Sequence, residues 1–129
     1  MTDIRQISVP ALAYLGDCVI ELCVRRHLVE KGLSTSAHLN AAALDYVRAP
    51  VQAEAMKRLL PHLTEEEEAY FRRGRNLGHS NVPKRATVSE YRAATGMETL
   101  FGYLHLTQQQ ERIEELFRLA YPTVADTEA

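Results

Sequence analysis

Apolar residues recur at three- and four-residue spacing from near the start of the chain. Leu12, Leu15, Val19 and Leu22 line up on one side of a helical wheel, Ser8 and Pro10 stand at the entry, and Gly32 follows the end. A serine cap, a proline in the first turn and a glycine past the last turn are start and stop signals, so the spacing predicts a helix over about 10–30. From Ser36 to Leu60 the pattern continues through Leu39, Ala43, Tyr46 and Val47, then Val51, Ala55 and Leu59, with Pro50 between the two sets. Proline lacks an N–H and clashes with the preceding turn, so two short helices are expected to meet near it. Three threonines are each followed three residues later by Glu or Gln: Thr64 with Glu67, Thr87 with Glu90, and Thr107 with Gln110. Each pair fits a capping box, in which two side chains satisfy each other's free backbone N–H groups. Helices are expected from about 65, 88 and 108 on that basis.

Between the first and second of these lies "GRNLGHSNVPKRA", residues 74–86, rich in Gly, Asn, Ser and Pro. That is loop chemistry, and long loops in compact domains tend to be functional. The chain shows no run of alternating β-branched residues, no internal repeat, and no low-complexity tract beyond the four glutamates at 65–68. The expected class is all-α, with around six helices.

Composition narrows the setting. At 129 residues the chain reads as a single domain over 1–129, long enough to bury roughly two thirds of its unfolded surface without disulfides or structural metal. Hydrophobic residues make up 46% and charged residues 25%, the profile of a soluble globular protein. The first ten residues carry neither the basic start nor the apolar run of a secretion signal, and no segment reaches the roughly 18 apolar residues of a membrane span. A cytoplasmic protein is expected. Cys18 and Cys23 form no CxxC pair and have no His at zinc spacing, which leaves reduced thiols as the simplest reading. With net charge −2 and a pI near 6.2 the molecule as a whole is not a basic polyanion binder. Any such partner must meet a local patch.

Acids enter the picture in "LAYLGDCVIEL", residues 12–22, where Asp17 and Glu21 are set into an apolar helix. On the wheel they point nearly opposite the Leu12, Leu15, Val19 and Leu22 stripe, so both could simply face water. Against that, Ala13, Tyr14, Ile20, Val24 and Leu28 make the helix apolar almost all round, as a buried helix is. A carboxylate in such surroundings must be neutralised, paired or metal-bound. A second segment, "TVSEYRAATGMETLFGYLHL", puts Tyr91, Thr95, Glu98 and Gly102 on one face, and Gly102 would let another backbone come close. Glu98 also reads as an edge position beside Met97, Leu100, Phe101 and Leu104. Residues 72–92 hold Arg72, Arg73, Arg75, Lys84, Arg85 and Arg92 against one acid, Glu90, a local excess of +5 in a chain of net −2. They flank the Gly- and Asn-rich loop, as suits a surface that tracks a phosphate backbone; a solvated helix face would look the same.

These motifs carry a family resemblance. "LAYLGDCVIEL" resembles the signature helix of the ribonuclease III catalytic domain, and "RRGRN", "PK" and "YRAATGMETLFGYLHL" are similar to the short, stand-alone Mini-ribonuclease III group. The match runs in order from about residue 9 to 118, and the three blocks together are far more specific than a lone LGD. The resemblance implies an all-helical, homodimeric endonuclease domain of the ribonuclease III fold, without the double-stranded RNA-binding domain of the full-length enzymes. It implies Mg²⁺-dependent hydrolysis of double-stranded RNA and, for the Mini group, maturation of the large-subunit (23S) ribosomal RNA precursor.

Carried over by position, Asp17 falls on the catalytic, metal-binding aspartate after LG, and Glu98 on the metal-binding glutamate of the later helix. Full-length ribonuclease III has further acids where this chain has Pro10, Ala13 and Thr95, so fewer protein oxygens are available and water and phosphate must complete the shell of the ion. Glu21, one turn past Asp17, is a candidate for hydrogen-bonding metal waters; a salt bridge to Arg25 at i+4 is the alternative. Arg72, Arg73, Arg75, Asn76 and Lys84 are assigned to the RNA backbone, since duplex RNA is recognised through shape, phosphates and 2′-hydroxyls.

Two other functions fit parts of the pattern. A non-catalytic double-stranded RNA-binding module shares the basic patch and differs in lacking Mg²⁺-dependent cleavage. A helical protein-interaction domain would leave Asp17 and Glu98 as solvated edges and turn the arginines toward an acidic partner. The histidines are scattered and receive no catalytic role.

Overall fold

The computed structural model describes residues 3–77 and 86–124, and among them the regular structure is all helical. Six α-helices follow in order: α1 (Val9–Glu30), α2 (Ser36–Val47), α3 (Ala49–Leu59), α4 (Glu65–Arg75), α5 (Val88–Leu106) and α6 (Gln110–Ala120). The Ser8 hydroxyl caps α1 by accepting from the Ala11 N–H, and Gly32 follows its end with φ of 103°, a left-handed conformation that glycine adopts at least cost.

The capping boxes at Thr64–Glu67 and Thr87–Glu90 both form, with reciprocal side-chain and backbone bonds. The third does not. Thr107 ends α5, its hydroxyl donating to the Tyr103 and Leu104 carbonyls at 2.8 and 3.3 Å, and α6 starts behind Gln109 with no side-chain cap. The hydroxyl is consumed by the helix before it, and Gln108, at φ of 58°, reverses the chain too tightly for Thr107 to reach forward. The break between α2 and α3 falls at Arg48, which is extended; Pro50 lies in the first turn of α3, where its missing N–H is no loss.

Helix α5 is the central element. Met97, Leu100, Phe101 and Leu104 are fully buried, and they meet Leu12 and Ile20 of α1, Met56 and Leu59 of α3, and Ile113 and Leu116 of α6 in one core. The buried side of α1 is not the stripe expected from the wheel. Leu12, Gly16, Val19, Ile20, Val24, His27 and Leu28 face inward, whereas Leu22 is 68% exposed and Tyr14 86%. A helix apolar almost all round does not reveal its inner face by periodicity; the tight approach at Gly16 sets it instead.

Helix α6 is fixed by polar bonds as well as by its apolar face. Arg112 donates from Nε and Nη2 to the two carboxylate oxygens of Glu67 at 2.9 and 2.8 Å, and from Nη2 to the His62 carbonyl at 2.8 Å. Arg58 Nε donates to the Ala120 carbonyl at 2.7 Å, and the Tyr121 hydroxyl to the Tyr46 carbonyl at 2.7 Å.

Candidate active site

The contact between α1 and α5 is made backbone to backbone. A Cβ on Gly16 would stand 1.6 Å from the Glu98 carbonyl oxygen and 2.8 Å from the Gly102 nitrogen; one on Gly102 would stand 2.0 Å from the Leu12 carbonyl oxygen. Residue 12 lies by 102 and residue 16 by 98, so the helices run antiparallel, and no side chain fits at their crossing. The crossing brings together the two acids that the sequence separates by 81 positions.

Asp17 follows Gly16 directly and is exposed, while Glu98 is half-buried beside it. The two carboxyl groups lie within hydrogen-bonding reach of each other. Burial, then the charge of Asp17 and the hydrogen bond to it, push the Glu98 carboxyl up to about 8. With no cation between them, burial and the neighbouring Asp17 favour the protonated form of Glu98. Two carboxyl groups held in contact, one of them desolvated, form a site that a cation would relieve. Among the described residues no group of three or more His, Cys, Asp or Glu converges. Thr95, one turn before Glu98, donates its hydroxyl to the Tyr91 carbonyl of its own helix at 3.0 Å, and Pro10 and Ala13 bring no side-chain oxygen. Among the described residues, Asp17 and Glu98 are the two carboxyl groups that meet at this crossing.

Glu21 does not join that pair in the structure; its carboxylate accepts from Arg25 at 3.2 Å across one helical turn. Arg72, Arg73, Arg75 and Asn76 are exposed at the C-terminal turn of α4. Arg72 stands 3.8 Å from Glu68, Arg73 lies over the Tyr70 ring, and Arg75 lies over the Phe71 ring while donating to Asn76 at 3.3 Å. Lys84, together with Arg85 and His79, lies outside the described residues. A second pair of glycines ties this turn to α5: a Cβ on Gly74 would meet the Thr99 hydroxyl at 2.2 Å and the Gly96 Cα at 2.9 Å. The arginine-bearing turn is thus packed against the stretch of α5 that carries Glu98.

Sequence reasoning singled out Gly102 but passed over Gly16, Gly74 and Gly96. The signal was present, because a glycine inside a helix costs about 1 kcal/mol relative to alanine and calls for a packing reason.

Comparison with known proteins bears on the family and the fold. The ribonuclease III domain family model matches residues 10–109. The Mini-ribonuclease 3 of Enterococcus faecalis is 45% identical over 129 residues, covering 98% of each chain, and that of Symbiobacterium thermophilum is 46% identical over 109 residues, covering 84% of each. A crystal structure of a protein from Fusobacterium nucleatum superposes with a TM-score of 0.84 at 29% identity, covering 95% of this chain and 98% of that one.

Proposed function

The chain belongs to the ribonuclease III domain family, and within it to the Mini-ribonuclease 3 group, so it is an endoribonuclease; we propose that it hydrolyses double-stranded RNA in a Mg²⁺-dependent reaction at Asp17 and Glu98. The observation that carries this reading is the convergence of the two carboxyl groups at the glycine crossing of α1 and α5. A pair of acids in contact opposes folding when nothing neutralises it. A non-catalytic RNA-binding module or a protein-interaction domain would have no use for that arrangement.

The donor chemistry fits Mg²⁺, which prefers oxygen ligands, is commonly held by one or two carboxylates, and keeps several waters for substrate oxygens to replace. Asp17 and Glu98 would hold it. When bound, Mg²⁺ supplies Lewis-acid polarisation of the scissile phosphate and stabilises charge on the departing 3′ oxygen. Asp17, at the rim, offers its carboxylate toward solvent and substrate, while Glu98 gives up the proton that its burial favours. Gly16 and Gly102 keep the two side chains at a fixed separation, which is the positioning part of catalysis. Neither carboxylate forms a covalent bond to the RNA.

Arg72, Arg73, Arg75, Asn76 and Lys84 are proposed to bind the RNA backbone, supported for the first four by their exposure on one turn beside the Glu98 segment. Glu21, engaged with Arg25, is at most a hydrogen-bonding neighbour of metal waters. A homodimer with two active centres, one per strand, is proposed from the outer face of α1, where Tyr14, Leu22 and Val29 expose an apolar stripe. The proposed physiological substrate is the 23S ribosomal RNA precursor in the cytoplasm. No helix of the described residues is long and apolar enough to cross a membrane.

The test is incubation of the protein with a labelled RNA duplex and with its separated strands, each with Mg²⁺ and with a chelator. Duplex cutting that needs the cation is expected. Equal cutting of single strands, or cutting that survives chelation, would overturn the proposal.

A further inference from the structure

Beside the arginine-rich turn, two rings from α4 and α5 lie face to face. Tyr70 and Tyr103 stack with centroids 4.1 Å apart and planes inclined by 16°, and both are buried. The Arg73 guanidinium carbon stands 4.7 Å from the Tyr70 centroid. Tyr103 and the Arg73 guanidinium both pack on the Tyr70 ring, which joins the buried ring pair to an exposed arginine. Tyr103 is itself held in the hydrophobic core.

Arg73, like Arg75 over the Phe71 ring, differs from the arginines that face carboxylates. Arg72 faces Glu68, Arg25 faces Glu21, and Arg112 is engaged by Glu67. Among the described residues no carboxylate lies within ion-pair distance of Arg73. Stacking uses the flat face of a guanidinium and leaves its five in-plane N–H donors for another acceptor. A long, exposed arginine otherwise loses side-chain entropy when it binds an anion; one already laid on a ring has lost much of that freedom beforehand. The turn that bears it is held against Gly96 and Thr99, the residues on either side of Met97 and Glu98.

The geometry points to Tyr70 as a positioning residue for RNA binding: backed by Tyr103, it holds the edge of the Arg73 guanidinium toward a backbone phosphate at a set offset from the Asp17–Glu98 centre. This rests on the reading of Arg73 as an RNA-backbone contact, and the experiment separates the two.

Binding of a fluorescent RNA duplex is measured by anisotropy across a salt series, with Asp17→Asn as the parent so that nothing is cut. Arg73→Ala is expected to weaken binding by roughly 3- to 10-fold and to lower the slope of log Kd against log salt by about one. Tyr70→Leu is expected to weaken binding by roughly 3- to 5-fold, Tyr70→Phe to stay within about 2-fold, and Tyr70→Leu to cost nothing further once Arg73 is alanine. If Arg73→Ala binds like the parent, the RNA role of Arg73 fails and the positioning role goes with it. If Arg73→Ala weakens binding but folded Tyr70→Leu does not, or if its penalty persists without Arg73, the positioning role alone is overturned. Should Tyr70→Leu fail to fold, Arg73→Lys decides, since lysine keeps the charge without the planar face. Several-fold weaker binding is expected, and binding equal to the parent overturns the proposal.

Discussion

Replacing Gly16 by alanine adds one methyl group where α1 and α5 touch backbone to backbone. That methyl carbon would stand 1.6 Å from the Glu98 carbonyl oxygen and 2.8 Å from the Gly102 nitrogen. Ordinary contact between heavy atoms needs about 3.5 Å, so the helices must part by about 2 Å, and neither obstacle is a side chain that could swing aside. Helix propensity alone favours alanine by about 1 kcal/mol; overpacking costs about 1–3 kcal/mol, and more where backbone has to move. The expected net loss is at least about 2 kcal/mol, which for a chain of this size lowers the melting temperature by roughly 8 °C. The same displacement moves Asp17 from Glu98, and an error of about 1 Å in catalytic geometry can cost about 100-fold in rate. The assay is thermal unfolding by circular dichroism, paired with duplex cleavage on the folded protein. Gly32→Ala is the control: nothing lies within 4 Å of its Cβ position, and its φ of 103° strains an alanine. It is expected to lose about 1 kcal/mol while leaving cleavage unchanged. A Gly16→Ala protein that melts at or above wild type and cuts RNA normally would refute the close-crossing account.

Further outcomes follow from the same contacts. In metal-free protein, Glu98 titrates near 8 when folded, against 4.5 for an ordinary glutamate, so its folded state binds the extra proton; the associated stability is full below about pH 4.5 and lost as pH rises through about 8. The melting-temperature difference between Glu98→Gln and wild type should therefore grow in favour of the variant between pH 5 and about 8.5, and added Mg²⁺ should close the gap by stabilising wild type alone; a pH-independent difference would contradict the pairing. Arg112→Ala should cost about 3 kcal/mol in denaturant unfolding, because burial disfavours the Glu67 charge and the guanidinium and the Thr64 N–H outweigh it; a loss below about 0.5 kcal/mol, typical of a surface substitution, would contradict that role. Leu22→Glu, at an exposed position of the apolar stripe on α1, should leave the fold intact and shift the protein from dimer to monomer in light scattering; a wild type already monomeric at working concentration would remove the two-centre arrangement.

Much of this architecture was legible in the sequence, for reasons that differ by element. The capping boxes at Thr64 and Thr87 are local chemistry, complete within four residues, and both formed. Thr107 looked the same over four residues and failed, because the helix before it competes for its hydroxyl. The inner face of α1 was misread, since Leu22 and Ile20 are equally apolar and only the partner helix distinguishes them. Asp17 and Glu98 each appeared as a plausible edge residue alone, and their relation is a property of the crossing at Gly16 and Gly102, which no single-helix pattern contains. The stack of Tyr70 and Tyr103 and the bond from Arg112 to Glu67 join positions 33 and 45 residues apart. Such pairs are invisible to periodicity.

We propose that Asp17 and Glu98 form the catalytic centre of a double-stranded ribonuclease. The most direct test is cleavage of an end-labelled RNA duplex with Mg²⁺ by wild type, Asp17→Asn and Glu98→Gln, purified in parallel and shown to be folded by their melting curves. Cutting by wild type, with a loss of at least about 100-fold in both variants, is the expected result. Equal cutting by all three would contradict the claim and point to a contaminant, and an inactive wild type that nonetheless binds the duplex would make this chain a binding module.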